Sequence, residues 1–236
     1  MRVNPDRSRE LRTSSWVRYI PQGEFELPVK SAVKKSVKAP KRVAEESAEN
    51  VRNRILETAG NLIYREGARA VGVDRIVAES GVAKMSLYRW FPSKDDLIVA
   101  VLQENERRIW GVWDENVRRF PGDPLKQLRS QFESLAASIE RPTYRGCPFQ
   151  NSAMAFADEA HPSRAVARKF KDELIRRALE LTTAIGARDP RMLAEQLALV
   201  ADGAHASGQT TGQDGPCKQL LSIVDALIAA QLSRKK

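Results

Sequence analysis

The stretch 73–94, VDRIVAESGVAKMSLYRWFPSK, constrains the fold of this chain more than any other. It predicts two short helices, 74–79 and 84–91, joined by a tight turn at Gly81, because glycine adopts the positive φ that such a corner demands. Pro92 ends the second helix. Two helices that meet across a glycine turn are typical of the helix-turn-helix unit, which lays its second helix in the major groove of DNA.

The second helix of this unit separates apolar from polar side chains. Leu87 and Phe91 lie four residues apart and therefore share the face that we expect to be buried. The other faces carry cations, a hydroxyl and a phenol, at Lys84, Ser86, Tyr88 and Arg89. Side chains of these types donate hydrogen bonds to phosphates and base edges, so an exposed face of this composition favours DNA as the partner.

The same stretch resembles the TetR family of bacterial transcription regulators. The family pattern is a first helix that ends in glycine, a short second helix, a Gly-Val turn, a helix that ends in Leu-Tyr-x-x-Phe, and Ser-Lys before the fourth helix. The matching elements are Gly67, Ile76, Gly81-Val82, Leu87-Tyr88-Arg89-Trp90-Phe91 and Ser93-Lys94. The resemblance covers residues 52–101, and the helical pattern beyond them is compatible with the family but much less specific.

The resemblance implies DNA contacts for five side chains. Tyr88 and Lys94 match family positions that contact the DNA backbone, and a phenol and an ammonium are good donors to phosphate. Lys84, Met85 and Ser86 stand where family members reach base edges. Of these three, Lys84 can donate to guanine O6 or N7.

Two further positions leave alternatives open. Arg89 is either a DNA contact or a solvated charge, since helix surfaces are usually charged. Trp90 either contacts DNA or packs at the helix end.

The family usually has Ser or Thr at the position of Gly72 and Ala at the position of Val77. We therefore expect the two helices of the unit to be slightly shifted.

Charge and composition agree with a polyanionic partner. The formal net charge of +9 favours nucleic acid but says nothing about the fold. The sequence shows neither an apolar run long enough to cross a bilayer nor the apolar segment of a signal peptide. Cys147 and Cys217 have no spacing typical of a disulfide framework or a metal site. We expect a cytoplasmic protein with reduced thiols and no membrane partner.

Residues 1–43 differ in composition from the rest of the chain. Prolines are scattered through them, and the run 30–42, KSAVKKSVKAPKR, carries lysines and an arginine but no carboxylate. We predict a basic, disordered N-terminal arm that can hold phosphates without reading sequence. The alternatives are a solvated tail or upstream sequence included through a misassigned start.

Apolar periodicity predicts an all-α fold of about nine helices, since no segment shows strand alternation of useful length. Ser93 and Asp96 predict a capping box at the start of a long fourth helix. Asp189-Pro190 predicts the start of the eighth helix, which we expect to end before a loop at 208–215.

These helices divide into two predicted domains behind the arm. Residues 44–95 are assigned to a helix-turn-helix DNA-binding domain. Residues 96–236 are assigned to a helical domain for effector binding and dimerisation, by resemblance to the family.

The resemblance assigns the middle helices, four to seven, to an effector-binding core, whose pocket should be mainly apolar with a few polar groups. Candidate lining residues are Trp110, Trp113, Phe149, Met154, Phe156 and Phe170, and candidate polar groups are Asn151 and His205. The alternative for each is an ordinary core position. With two histidines and no clustered cysteines or carboxylates, we expect neither a metal site nor a cofactor.

The resemblance assigns the last two helices to a homodimer interface, and both carry small residues beside their aliphatic stripes. The predicted interface residues are Leu197, Ala201, Ala204, Leu220, Val224, Leu227 and Ile228. A two-fold dimer places two reading helices about 34–36 Å apart, in successive major grooves of a palindromic operator. The alternative is that these two helices pack only within one chain.

Together these features predict a ligand-responsive transcription regulator, foremost a repressor that binds double-stranded operator DNA as a homodimer and is released by a largely apolar small molecule. An activator of the same fold and a helical protein-interaction module without sequence-specific DNA binding are the alternatives. We do not expect an enzyme, because the sequence lacks a nucleophile elbow, a phosphate-binding glycine loop and a zinc-protease motif.

Overall fold

The computed structural model describes residues 48–232, and over this range it is built of helices and short connections without a strand. The all-α fold is thereby confirmed. The basic arm predicted for residues 1–43 lies outside the described residues. Between residues 48 and 232 we find no helix with the length and apolar character that crossing a membrane requires.

The helices follow one another with short connections. The first four are α1 (Ala48–Glu66), α2 (Val73–Ser80), α3 (Lys84–Trp90) and α4 (Lys94–Arg119). The next five are α5 (Pro124–Ile139), α6 (Pro148–Ala155), α7 (Pro162–Ala184), α8 (Pro190–Thr211) and α9 (Leu220–Leu232), with a 3-10 turn at Pro216–Gln219 before α9. We call α1–α3 the head and α5–α9 the core; α4 contributes to both.

Local sequence signals set several helix ends. The Ser93 hydroxyl accepts a hydrogen bond from the Asp96 amide at 3.0 Å, and the Asp96 carboxylate accepts one from the Ser93 amide at 3.0 Å. This is the predicted capping box, which satisfies amide groups that a helix start leaves unpaired. The Asp189 carboxylate likewise accepts from the Met192 amide at 2.9 Å, with Pro190 at the first helical position.

The end of α8 differs from the prediction, because the helix continues through Gly208 to Thr211 instead of ending before residue 208. Gly208 is buried, and a Cβ added to it would lie 2.7 Å from Ile139 Cγ2 and 3.1 Å from Tyr144 Cε1. The glycine therefore permits α8 to approach the end of α5 closely. The sequence alone predicts a helix end at Gly208, because the side chains that approach this glycine are distant in the chain.

Three clusters of buried side chains hold the helices together. The head cluster includes Ile55, Leu62, Ile76, Leu87, Phe91 and Leu97. The joint cluster, where the head meets the core, includes Ala68, Ile98, Leu102, Cys147, Phe149 and Phe170. The core cluster includes Trp113, Leu128, Leu193, Leu197, Leu220 and Val224. Because α4 supplies Leu97, Leu102 and Trp113, it takes part in all three.

Candidate DNA-binding site

The turn between α2 and α3 has the geometry that the sequence predicts. Gly81 adopts a left-handed φ of 65°, and its amide donates to the Val77 carbonyl at 3.0 Å. Gly72 occupies the N-cap of α2 and supplies no side-chain hydrogen bond, as its lack of a side chain requires. α3 then begins at Lys84, with the extended residue Ala83 as its cap.

The inner face of α3 is anchored in the head cluster. Leu87 is fully buried and Phe91 is nearly so, which confirms the face predicted from their spacing. The Arg52 guanidinium of α1 lies 5.7 Å from the centroid of the Phe91 ring, a favourable contact between a cation and an aromatic face. α1 thus supports the residue that follows α3, and the helix has one face left for solvent.

The outer face of α3 carries most of the predicted DNA-contact residues. Met85 is 81% exposed, Tyr88 is 40% exposed, and Arg89 is also exposed. Together with the half-buried Ser86, these three residues line one shallow depression. Trp90 is 37% exposed at the end of the helix and does not line this depression.

The two predicted lysine contacts are both engaged in the free protein. Lys84 Nζ lies 2.6 Å from a carboxylate oxygen of Asp74 in α2, and this hydrogen bond raises the pKa of the lysine. Lys94 Nζ, at the start of α4, donates to the Arg69 carbonyl at 3.3 Å. Both ammonium groups therefore have a partner within the chain.

In the predicted effector core, aromatic rings pack on one another. Phe149 and Phe170 stack with their centroids 3.8 Å apart, and Trp110 stacks on Phe170 at 5.0 Å. Trp113 meets Trp110 edge to face at 6.1 Å. These four predicted lining residues are therefore brought together, and they fill the space between them with their own side chains.

The two remaining predicted lining residues lie elsewhere. Met154 is 81% exposed near the end of α6, so its assignment to an interior pocket is corrected: this part of the helix faces solvent. Phe156 follows α6 and stacks on the His161 ring with centroids 3.6 Å apart, at the edge of the joint cluster.

Both predicted polar groups of the pocket already have partners in the chain. His205 Nδ1 lies 2.6 Å from the Tyr144 hydroxyl, and burial lowers the pKa of this histidine to about 4. Asn151 donates from Nδ2 to the Arg145 carbonyl at 2.6 Å. These partners agree with the alternative that both residues are satisfied parts of the interior.

Sequence reasoning missed an ion pair beside His205, between Lys171 of α7 and Asp202 of α8. The positive charge of Lys171 contributes to the low pKa of His205 after the larger effect of burial. The pairing has no sequence signal, because its members lie on different helices. A helical projection of α8 could have found Asp202 beside His205, but not its partner on α7. Within residues 48–232, no group of three or more histidine, cysteine or carboxylate side chains is arranged to hold a metal ion.

The prediction of the dimer interface is corrected, because most of its residues lie on the buried side of α8 and α9. Six of its residues are buried in the core cluster of the single chain, and Leu227 is half-buried against them. The six are Leu197, Ala201, Ala204, Leu220, Val224 and Ile228. A side chain that is buried within its own chain is not available to a second copy. The buried small residues of α8, Ala201 and Ala204, therefore serve packing within the chain.

The opposite side of the same two helices is exposed and carries several apolar residues. Leu199 is 72% exposed, and Met192, Gly203, Ile223 and Ala226 are also exposed. We call these five residues the α8–α9 outer face. Exposed apolar side chains of this size are candidates for burial against another protein surface.

Comparison with known proteins gives one consistent result. Residues 55–101 match the family model described as bacterial regulatory proteins, tetR family. The crystal structure of SCO4454, a TetR-family transcriptional regulator from Streptomyces coelicolor, is 31% identical with a TM-score of 0.74, over 78% of this chain and 96% of that one.

Two curated relatives extend the comparison. The HTH-type transcriptional regulator AcrR of Shigella flexneri is 31% identical over 88 residues, which are 37% of this chain and 41% of that protein. The HTH-type transcriptional regulator YjdC of Escherichia coli strain K12 is 24% identical over 153 residues, which are 64% of this chain and 80% of that protein. The chain thus spans less than half the length of the first relative and most of the second.

Proposed function

Because the chain belongs to the TetR family of bacterial transcriptional regulators, we propose that it represses transcription from a palindromic operator. It binds this operator as a homodimer and leaves it when a small apolar molecule enters the core. The chain is a DNA-binding regulator and not an enzyme. The proposal rests on the outer face of α3, where Met85, Tyr88 and Arg89 are exposed. The inner face of the same helix is held in the head cluster by Leu87.

On this proposal the residues of α3 divide between base edges and phosphates. The start of α3 carries Lys84, Met85 and Ser86. In a helix-turn-helix unit, the first residues of the second helix contact base edges. Tyr88 lies one turn later, and its hydroxyl donates a hydrogen bond to a phosphate. The ammonium group of Lys94 donates to a phosphate in the same way. Phosphate contacts position the protein, whereas base contacts choose the sequence.

Selection of bound sequences from a random duplex pool by the full chain tests this division. We expect a palindromic motif. Tyr88→Phe should weaken binding to specific and random duplexes alike. If Lys84 contacts a base, Lys84→Ala should reduce the free-energy preference for the selected motif by about 1–3 kcal/mol. Lys126→Ala, at an exposed lysine of α5, is the matched control. A pool without an enriched motif would refute sequence-specific binding and favour an interaction module.

The dimer is proposed to form through the α8–α9 outer face. Its exposed Leu199 and Ile223 lie on two helices that pack side by side, and their burial against a second copy would remove apolar surface from water. A two-fold contact of this kind uses the same patch on both copies. Two copies of α3 can then enter successive grooves of one operator.

Leu199→Glu tests the interface, because it places a charge where the second copy would pack. We expect the variant to sediment as a monomer at concentrations where the unchanged chain is a dimer, and to lose affinity for the palindromic motif. Leu125→Glu makes the same change at an exposed leucine of α5, outside this face, and should leave the dimer intact. A dimeric Leu199→Glu would place the interface elsewhere.

The effector is proposed to enter between the stacked rings of Trp110 and Phe170. Trp110 is half-buried, and its other neighbour is the Arg177 guanidinium, 4.4 Å from the ring centroid. A flat apolar molecule can replace one ring contact with another at this position. It would act on DNA binding only if it has a higher affinity for one dimer geometry than for the other, typically by about 1–3 kcal/mol.

A panel of flat apolar compounds, followed by tryptophan fluorescence, tests this site. We expect a compound that quenches the fluorescence to weaken operator binding about 5- to 150-fold. In Trp110→Phe both effects should shrink together. A bound compound that leaves operator affinity unchanged would contradict release by the effector. A reporter gene whose transcription rises when the protein binds would make it an activator instead.

A further inference from the structure

The start of α3 carries a large apolar side chain that makes little contact with the rest of the protein. Met85 is 81% exposed, whereas Leu87 on the same short helix and Phe91, which follows it, are buried in the head cluster. Burial of an apolar side chain is favourable, so this exposure forgoes a gain in folding free energy. A thioether is only a weak hydrogen-bond acceptor, which leaves Met85 unsuited to phosphates.

We infer that Met85 contacts the 5-methyl group of a thymine in each operator half-site. The inference rests on the proposed function and specifies the base chemistry that this residue recognises. In the major groove, the edges of the four base pairs present hydrogen-bond donors and acceptors, and only thymine adds an apolar methyl group. Against the hydrogen-bonding groups of a base edge, Met85 would desolvate polar atoms without offering them a partner.

The surroundings of Met85 support this assignment. Tyr88 and Arg89 lie three and four residues later, on the same face, and line the same depression together with Ser86. These three offer hydroxyl and guanidinium donors. Met85 is therefore the apolar member of an otherwise polar surface that contains no carboxylate. The carboxylate of Asp74 in α2 pairs with Lys84 at the helix start.

The test replaces the thymines of the selected operator one at a time with deoxyuridine, which removes the methyl group and nothing else. We expect one symmetric pair of positions to respond. Loss of the methyl in one half-site should weaken binding about fourfold, and loss in both about fifteenfold, since each methyl is worth about one buried methylene. At the same positions, 5-methylcytosine should bind better than cytosine.

Variants assign the effect to the side chain. Met85→Ala should bind thymine and deoxyuridine operators equally, whereas Met85→Leu should still distinguish them because it restores an apolar side chain of similar size. Leu125→Ala removes an exposed apolar side chain from α5 and should keep the full discrimination. Because Met85 is exposed, thermal melting of its variants should match that of the unchanged chain.

The outcomes separate this inference from the proposed function. A palindromic motif in which no deoxyuridine weakens binding would overturn the inference alone. Discrimination that persists in Met85→Ala would also overturn it, because another residue would then read the methyl group. Failure to select any motif would overturn the proposed function, and the inference with it.

Discussion

The head and the core of this protein are stabilised by different kinds of interior. The head cluster consists of aliphatic and aromatic side chains drawn from one short stretch of sequence, such as Ile55, Leu87 and Leu97. The core also buries polar groups that pair between helices. Asn116 of α4 donates to the Ser134 hydroxyl of α5 at 2.9 Å, and the Thr182 hydroxyl donates to the Pro190 carbonyl at 2.8 Å.

This difference explains why the sequence predicts the head better than the core. An apolar interior formed by neighbouring helices depends on spacing along the chain, which is visible in the sequence. A polar interior depends on partners that are distant in sequence, and each partner must be present to avoid an unsatisfied buried group. The following predictions test whether the two interiors also respond differently to change.

The largest effect is expected from Leu87→Ala. Leu87 is fully buried in the head cluster, and truncation of such a leucine costs about 2–5 kcal/mol because it leaves a cavity. We expect amide hydrogen exchange to accelerate throughout α1–α3 but much less in α8 and α9, since the joint cluster between head and core is small.

Leu128→Ala provides the converse variant, because Leu128 is buried to the same degree in the core cluster. It should accelerate exchange in α8 and α9 more than in the head. Equal acceleration across the chain in either variant would show that head and core unfold as one cooperative unit, and the comparison would fail.

Acid should destabilise the core through His205. Burial lowers the pKa of this histidine to about 4, below its ordinary value of 6.5, so between these values the unfolded chain binds a proton that the folded chain does not. The contribution of His205 to the free energy of unfolding is therefore fully present above pH 6.5. It falls as the pH decreases towards 4 and levels off below that value. The loss amounts to about 3 kcal/mol at most.

Urea unfolding between pH 7.5 and 4, compared with His205→Asn, measures this contribution. The variant keeps a side-chain amide that can pair with the Tyr144 hydroxyl but does not titrate in this range, so its stability should depend less on pH. Above pH 7 the two curves should run parallel. Identical slopes between pH 6.5 and 4 would mean that His205 becomes protonated in the folded core.

The smallest effect is expected at the joint, from Tyr64→Phe. The Tyr64 hydroxyl donates to the Gly146 carbonyl at 3.1 Å and accepts from the Arg145 amide at 2.9 Å, so it links α1 of the head to the connection between α5 and α6. Its loss should cost about 1 kcal/mol of stability, because solvent can partly replace these bonds.

Tyr88→Phe is the matched change on the outer face of α3. It should weaken DNA binding without a change in the urea midpoint, whereas Tyr64→Phe should lower the midpoint and affect DNA binding only secondarily. A Tyr64→Phe variant with an unchanged midpoint would show that the joint is held by its apolar cluster alone.

The sequence predicted most of the head. The turn at Gly81, the buried pair Leu87 and Phe91, and the capping box at Ser93 all depend on residues close together in the chain, so spacing and local hydrogen bonding suffice to find them. The roles of the exposed α3 residues in DNA binding rest on resemblance and stay predictions.

The core was predicted less well, and for a physical reason. Apolar periodicity in α8 identified the stripe that includes Leu197, but not whether that stripe meets the same chain or a second copy. Gly208 was interpreted as a break because the sequence does not show the side chains of Ile139 and Tyr144 that fill the space beside it. Long-range packing decides both questions.

The length of α4 has a consequence for the distance over which a small motion matters. Its 26 residues extend about 39 Å, from the start of the helix beside α3 to its end beside α5. A tilt of about 5° at one end therefore moves the other end by about 3.4 Å, which is the rise per base pair along the axis of a DNA duplex. A helix of this length therefore amplifies a small change of angle at one end into a displacement of several ångströms at the other end.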